Sequence, residues 1–179
     1  MTTSLSFEQL QQLVQQDDVI GLSTQLAALK AHAETRDVNG RGLLHAATHA
    51  KAGDALAWLL DNKIGSVDSA DNQGETPLMR AAWLGYKPGV DLLLEAGASL
   101  ESRALTGGTP LHFAYAGGKA AKETVASLLA AGANPTATDK SGSQPEQWSQ
   151  QAEAREQGQA LLEKNRNVRP RLSINRPKI

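Results

Sequence analysis

The sequence contains no cysteine, and only 4% of its 179 residues are aromatic. The absence of thiols excludes a disulfide framework, a thiolate metal site and a cysteine nucleophile. A hydrophobic content of 40% with so few aromatic residues fits an alanine- and leucine-rich helical stack better than a β-sandwich or barrel. The length fits a single domain.

Long apolar runs and early basic residues are also missing. No stretch approaches the roughly 20 apolar residues of a membrane span, so we expect no membrane insertion. No basic residue precedes Lys30, which argues against a secretory signal peptide. These absences together predict a cytoplasmic protein.

The sequence has no motif of known chemistry. It lacks a Gly-Lys-Ser/Thr phosphate loop, the spacing of zinc ligands and a His-Glu-x-x-His element. The pairs Gly107-Gly108 and Gly117-Gly118 have no apolar strand before them, so we interpret them as turn glycines rather than a nucleotide loop. We predict a protein that is not an enzyme and has no catalytic residues, cofactor, metal site or small-molecule substrate.

Acidic residues are absent after Glu163, whereas six basic residues follow it. The formal net charge of −1 therefore combines a tail of +6 with a net charge of −7 over residues 1–163. Pro170 and Pro177 and the lack of apolar periodicity predict an extended tail.

One element recurs along the chain at a nearly constant spacing. It reads GETPLMRAAWLG at residues 74–85, GGTPLHFA at 107–114, GRGLLHAA at 40–47 and, in weaker form, GSQPEQ at 142–147. Corresponding residues are 34, 33 and 35 positions apart. The second and third copies are followed by a leucine run and Gly-Ala, at Gly97 and Gly132. This regularity predicts a stack of similar units.

The residue types of the element predict where helices begin and end. Thr76 and Thr109 can cap a helix, and the proline after each occupies the first helical position, where an N–H is not needed. Gly97 and Gly132 suit the left-handed turn after a second helix. In the third unit, two extra residues between Gly117 and Lys122 predict a longer loop between its helices.

These patterns resemble the ankyrin repeat family over residues 37–150, and the composition is similar to small stand-alone bacterial members. The resemblance implies an all-α solenoid of helix-turn-helix units with β-hairpin-like loops on one edge. We predict the following division: an N-terminal helical cap at 1–36, repeats at 37–70, 71–103 and 104–138, a degenerate C-terminal capping repeat at 139–165 and a basic extended tail at 166–179. Within the cap, Ser6 and Gln9 form a capping box before one helix, and a second helix runs from about Asp18 to Ala31.

The resemblance also implies a contact surface on the concave side, formed by hairpin tips and the first helices. The positions it assigns to partner binding are Asn39, Arg41, His49, Asn72, Gln73, Glu75, Trp83, Leu84, Leu105 and Thr106. Trp83 is open to two interpretations: an interaction hot spot, or a core residue packed on Tyr115. We expect Trp58 and Trp148 to pack in the core.

The histidines of the repeated element have a structural interpretation. The resemblance implies that the rings of His45 and His112 hydrogen-bond nearby backbone and tie one hairpin to the next. Neither histidine has a nucleophile or carboxylate at a motif-like spacing, which argues against catalysis.

Four carboxylates, those of Asp68, Asp71, Glu75 and Glu101, are predicted to lie near consecutive hairpin tips. Such a strip would attract a basic protein, although charge in loops also serves solubility alone. We therefore predict a monomeric protein-binding scaffold whose partner is another protein with a basic surface.

A more specific hypothesis makes the chain an immunity protein that inhibits a cognate bacterial toxin. One alternative is an adaptor that binds nucleic acid or an anionic surface through the tail, although a short tail without aromatic residues is a weak nucleic-acid signal. A second alternative is a translocated bacterial effector.

Overall fold

The computed structural model describes residues 5–150 and residue 153. Over these residues the chain forms helices joined by turns and contains no strand, which confirms the expected all-α fold. Three helix pairs stack side by side, so that the first helices form one layer and the second helices another. The pairs are α4 (Leu43–Ala50) with α5 (Gly53–Asp61), α6 (Pro77–Trp83) with α7 (Lys87–Glu95), and α8 (Pro110–Ala116) with α9 (Lys122–Ala130).

The N-terminal segment contains three helices: α1 (Phe7–Gln15), α2 (Val19–Thr24) and α3 (Leu26–Ala31). The capping box before α1 is confirmed, because the N–H of Ser6 donates to Oε1 of Gln9 at 2.9 Å and the N–H of Gln9 donates to Oγ of Ser6 at 3.3 Å. Residues 145–150, at the other end, are also helical.

The prediction of one continuous helix from Asp18 to Ala31 is wrong. The helix ends at Thr24, where the hydroxyls of Ser23 and Thr24 donate to the carbonyls of Ile20 and Gly21 at 2.8 and 2.7 Å. Such local side-chain bonds compete with helical backbone bonds, and Gln25 accordingly leaves the helical conformation. Ile20, an apolar residue of α2, is 81% exposed.

The predicted helix starts are confirmed. Helices α6 and α8 begin at Pro77 and Pro110, and Oγ1 of Thr76 accepts the N–H of Met79 at 3.4 Å. The predicted cap by Thr109 is not made, because its Oγ1 lies 2.9 Å from Nδ1 of His112 instead. The first helix of the first repeat begins after Gly42, which has no side chain to offer as a cap. Nδ1 of His45 accepts the Gly42 N–H at 3.3 Å, as Nδ1 of His112 accepts the Thr109 N–H at 3.1 Å in the third repeat.

The insertion in the third repeat is a 3₁₀ turn over Gly118–Ala121. Ala121 is fully buried, and Oγ1 of Thr124 donates to the carbonyls of Ala121 and Ala82 at 2.7 and 3.1 Å. The extra residues thus pack against the preceding repeat instead of only lengthening a loop.

A continuous apolar core runs through the stack. Leu22, Leu56, Leu78, Leu111 and Leu128 belong to one buried cluster that extends from the N-terminal helices to the third repeat. A smaller cluster of Met79, Ala104 and Phe113 is covered by Trp148. The core spans unit boundaries, so each unit buries its apolar face only against its neighbours.

No helix among the described residues is long and apolar enough to cross a membrane. The predicted basic tail at 166–179, and most of the predicted capping repeat beyond Gln150, lie outside the described residues. The boundaries assigned to the repeats stay predictions.

Candidate functional site

Aspartates shape the hairpin tips that precede the first helices. Oδ1 of Asp71 accepts the N–H groups of Gln73 and Glu75 at 2.8 and 3.0 Å, and Oδ1 of Asp37 does the same for Asn39 and Arg41 at 2.8 and 2.9 Å. These bonds turn the backbone tightly and direct the tip side chains outward.

Asp139 repeats this arrangement at the last described hairpin. Burial by itself would raise the pKa of Asp139, but hydrogen bonds from the Ser141 hydroxyl, the Ser143 N–H and the Trp148 indole outweigh it and lower the pKa to about 2.

Successive hairpins are joined by one backbone hydrogen bond each. The N–H of Asn72 donates to the carbonyl of Asn39 at 2.9 Å, and the N–H of Leu105 donates to the carbonyl of Gln73 at 2.8 Å. The N–H of Lys140 donates to the carbonyl of Thr106 at 3.0 Å. The exposed tips therefore keep a fixed spacing.

The structural role of the two repeat histidines is confirmed. Nε2 of His45 lies 3.0 Å from the carbonyl oxygen of Glu75, and Nε2 of His112 lies 3.0 Å from that of Ser143. Each ring therefore bridges its own helix start and the next hairpin. Burial lowers the pKa of both histidines, which favours the neutral ring.

Trp83 ends helix α6 with 43% of its surface exposed. The guanidinium carbon of Arg80 lies 5.5 Å from the Trp83 ring centroid, a distance at which a cation attracts the ring face. Trp83 belongs to neither buried cluster, whereas Tyr115 packs on the main core. The structure therefore argues against the interpretation of Trp83 as a core residue packed on Tyr115.

Two cations lie near this tryptophan: Arg80 beside its ring and Lys51 beside the next residue, Leu84. Nη2 of Arg80 lies 3.9 Å from Oε2 of Glu75, and Nζ of Lys51 donates to the carbonyl of Leu84 at 3.2 Å. His49 is exposed at the end of α4. We call this group the Trp83 surface, and it consists of Arg41, His49, Lys51, Glu75, Arg80 and Trp83.

The pKa values of two members reflect their surroundings. Burial lowers the pKa of His49, and the charges of Arg80 and Arg41 lower it further. Burial raises the pKa of Glu75, against the opposing effect of Arg80. His49 therefore lies in a locally positive field, although residues 1–163 carry net negative charge.

Comparison with known families supports the fold assignment. The sequence profile described as "Ankyrin repeats (3 copies)" matches residues 10–104, and the profile described as "Ankyrin repeat" matches residues 106–140. The chain belongs to the ankyrin repeat family. Ankyrin repeats mediate contacts between proteins and are in general not catalytic, so the family indicates a protein-binding scaffold.

Relatives of this ankyrin repeat chain are much longer proteins. It is 27% identical over 116 residues to "E3 ubiquitin-protein ligase KEG" of Arabidopsis thaliana, covering 65% of this chain and 7% of that protein. It is 34% identical over 82 residues to "Inactive serine/threonine-protein kinase TEX14" of Mus musculus, covering 46% and 6%. For "Neurogenic locus notch homolog protein 4" of Homo sapiens, the identity is 37% over 111 residues, covering 54% and 5%. The chain thus spans less than a tenth of each of these relatives.

The residues expected to bind a partner differ in how far the ankyrin repeat stack exposes them. Arg41, Glu75 and Leu84 are half-buried, and Leu84 packs against the main core. The others have exposed side chains: Asn39, His49, Asn72, Gln73, Trp83, Leu105 and Thr106. Leu105 and its counterpart Val38 are notable apolar tips, 59% and 93% exposed.

The predicted strip of four carboxylates is interrupted, because Asp71 is buried, and each of the four carboxylates has a contact within the stack. The side chain of Asp71 is 2% exposed and Oδ2 lies 3.4 Å from Nε of Arg41. Asp68 accepts the Ser99 N–H at 2.9 Å and Glu101 accepts the Asn134 N–H at 3.0 Å, so both join loops after the second helices. The side chain of Glu75 is 23% exposed beside Arg80.

Two members of the Trp83 surface were missed by the sequence reasoning. Arg80 precedes Trp83 by three positions, a spacing that places both on one helix face, so this contact could have been predicted. Lys51 comes from the preceding repeat and reaches the Leu84 carbonyl only because the helices α4 and α6 pack together. No local sequence signal identifies it.

Proposed function

We propose that this chain is a non-catalytic scaffold that binds another protein through the Trp83 surface and the adjoining hairpin tips. The observation that carries the proposal is Trp83 itself, which keeps 43% of its surface exposed beside the Arg80 guanidinium. Tryptophan and arginine together are the residues most enriched among interface hot spots. Removal of the tryptophan surface from water would supply much of the binding free energy.

The backbone under Trp83 supports this role, because it is held by the next repeat. A Cβ atom on Gly117 would lie 2.3 Å from the Trp83 carbonyl oxygen, which shows how closely α8 approaches. A rigid anchor loses little conformational freedom on binding, so more of its contact energy contributes to affinity.

The experiment is affinity capture from a lysate of the source organism with three immobilised forms: wild type, Trp83→Ala and Ile20→Ala. Ile20 is an apolar residue on α2 that is 81% exposed, so it is a matched control outside the Trp83 surface. We expect a protein that is captured by the wild type and Ile20→Ala and reduced at least about tenfold by Trp83→Ala. Equal capture by all three forms, with unchanged melting temperatures, contradicts the proposal.

The immunity hypothesis is a finer version of this proposal. Its support is the net charge of −7 over residues 1–163, which would steer a basic toxin toward the chain. It requires that the captured protein be a toxin whose activity is blocked by the wild type and not by Trp83→Ala. Asp71 is unsuitable for charge-reversal tests of this idea, because its carboxylate holds the hairpin together.

The alternative of an adaptor that works through residues 166–179 is based on the five basic residues of that segment, which contains no acidic residue. Deletion of 166–179 separates the two functions. A nucleic-acid adaptor would lose salt-dependent DNA or RNA binding on deletion, whereas the Trp83-dependent capture would persist.

A further inference from the structure

We propose that the Trp83 surface recognises an acidic polypeptide segment in which carboxylates flank an apolar side chain. This inference rests on the proposed function and specifies its partner chemistry. It replaces the basic partner that the overall charge suggested, because local charge at the contact surface determines complementarity.

The apolar side chain of the segment would pack on Trp83. The exposed side of Trp83 offers an aromatic surface, and the guanidinium of Arg80 lies 5.5 Å from the ring centroid. An isoleucine, leucine or aromatic side chain packed on this ring would be removed from water together with it. The Arg80 guanidinium then lies close to a carboxylate next to that apolar side chain in the bound segment.

The cations of this surface have donor capacity left for carboxylates. The side chain of Arg80 is 17% exposed and donates no hydrogen bond to any residue that the structure describes, and its distance of 3.9 Å from Glu75 is long for an ion pair. Nζ of Lys51 has three N–H donors, of which the Leu84 carbonyl accepts one. Arginine binds carboxylates through a planar fork, which gives geometric selectivity as well as charge.

The carboxylates near the surface do not neutralise it. Asp71 is buried beneath Arg41 and already accepts the N–H groups of Gln73 and Glu75. Glu75 is therefore the one partly exposed acid within the Trp83 surface, against the formal positive charges of Arg41, Lys51 and Arg80. With Asp71 and Glu75 counted against Arg41, Lys51 and Arg80, the formal charge is +1, whereas residues 1–163 carry −7.

The environment of His49 shows where the charges of Arg80 and Arg41 act. After burial, the largest influences that lower the pKa of His49 are the charges of Arg80 and Arg41. An incoming carboxylate would relieve this repulsion, whereas an incoming lysine or arginine would add to it.

The test is selection from a displayed library of random dodecapeptides against the wild type, with Trp83→Ala as the counter-selection. We expect the peptides that depend on Trp83 to be enriched in aspartate or glutamate next to leucine, isoleucine, phenylalanine or tryptophan. The affinity of the best peptides is then measured by fluorescence anisotropy at low and moderate salt, for the wild type and the charge variants.

The charge variant is Lys51→Gln/Arg80→Gln, and the matched control is Lys30→Gln/Lys122→Gln. Lys30 and Lys122 are exposed and lie on other helices, so the control removes the same charge away from the surface. We expect about tenfold weaker binding for the first variant, a smaller salt dependence, and little change for the control. Circular dichroism melts check that all variants fold.

Each other outcome has a definite meaning. Trp83-dependent peptides enriched in lysine or arginine overturn the acidic partner while they leave the proposed binding surface intact. Acidic peptides whose affinity ignores Lys51→Gln/Arg80→Gln also overturn it. Enrichment that is unaffected by Trp83→Ala contradicts both this inference and the proposed function.

Discussion

Lys63 has a backbone conformation that the other repeats give to glycine. Its φ of 55° lies in the left-handed region, as do the φ values of 86° and 97° at Gly97 and Gly132. The N–H groups after these residues bond to equivalent carbonyls, so the three positions correspond. The second and third repeats thus place glycine where a side chain would be strained, and the first repeat does not.

We predict that Lys63→Gly raises the free energy of unfolding by about 0.5–1 kcal/mol. Relief of the left-handed strain exceeds the added entropy of glycine in the unfolded chain. Urea unfolding measures the difference. The reverse change, Gly97→Lys, has open space around its Cβ and should lower stability by about 1 kcal/mol through the backbone alone. A destabilised Lys63→Gly variant would contradict this account.

The buried histidines predict how stability responds to pH. Burial lowers the pKa of His45 and His112 below the reference value of 6.5. As the pH falls through 6.5, the unfolded chain takes up protons that the folded chain does not. The free energy of unfolding therefore decreases from that pH down to the folded-state pKa.

Urea unfolding at about pH 7.5 and about pH 5 tests this response. We expect the stability difference between the two pH values to shrink in His112→Gln, although this variant is less stable at both. A stability that is equal at both pH values in the wild type would exclude the mechanism.

At the scale of one helix, the stack depends on leucines that face the neighbouring units. Leu93 on α7 and Leu111 on α8 are both fully buried. We predict that Leu93→Ala or Leu111→Ala lowers the free energy of unfolding by about 2–5 kcal/mol, because each leaves a cavity that the rigid stack cannot close. Chemical denaturation gives the values.

Leu129→Ala is the matched control on α9, where the leucine is 39% exposed. Leu129→Ala should lower the free energy of unfolding clearly less than Leu111→Ala, since less buried apolar surface is lost. Equal effects at the two positions would mean that the assigned inward faces are wrong.

Helix boundaries differ in how strongly the local sequence determines them. The Thr-Pro starts of α6 and α8 were predictable because proline tolerates the first helical position, and Thr76 also caps α6. The break at Gln25 was not predictable, since it depends on the hydroxyls of Ser23 and Thr24 donating to nearby backbone carbonyls rather than to water. The 3₁₀ turn after Gly117 likewise needs the packing of Ala121 on the preceding repeat.

Across the whole molecule, the hairpin tips are coupled by the backbone bonds that join one repeat to the next. Leu105 illustrates this coupling: its side chain is 59% exposed, yet its N–H donates to the carbonyl of Gln73 at 2.8 Å. The N–H of the adjacent Thr106 has no acceptor among the described residues. The amide of Leu105 is freed only when the two repeats separate, whereas the amide of Thr106 is already free of a hydrogen bond to the described residues.

We predict that amide hydrogen exchange at Leu105 is at least about tenfold slower, relative to the random-coil rate, than at Thr106. Slow exchange is also expected for Asn72, whose N–H donates to the carbonyl of Asn39. NMR-detected exchange in D₂O measures both. Equal protection of Leu105 and Thr106 would show that the hairpins open independently of the stack.

The repeat period, the helix starts at Thr76 and Thr109 and the left-handed glycines follow from the residues of the chain, and the resemblance to the ankyrin repeat family adds the role of His45 and His112. These features are local, since each depends on residue types at fixed offsets along the chain. Only the tertiary structure shows which charged side chains are free to contact a partner. The carboxylate of Asp71 holds its hairpin, and Lys51 reaches the Trp83 surface from another repeat. Contacts between repeats determine which side chains are already bound and which can contact a partner. The distances between side chains of different repeats cannot be read from the sequence.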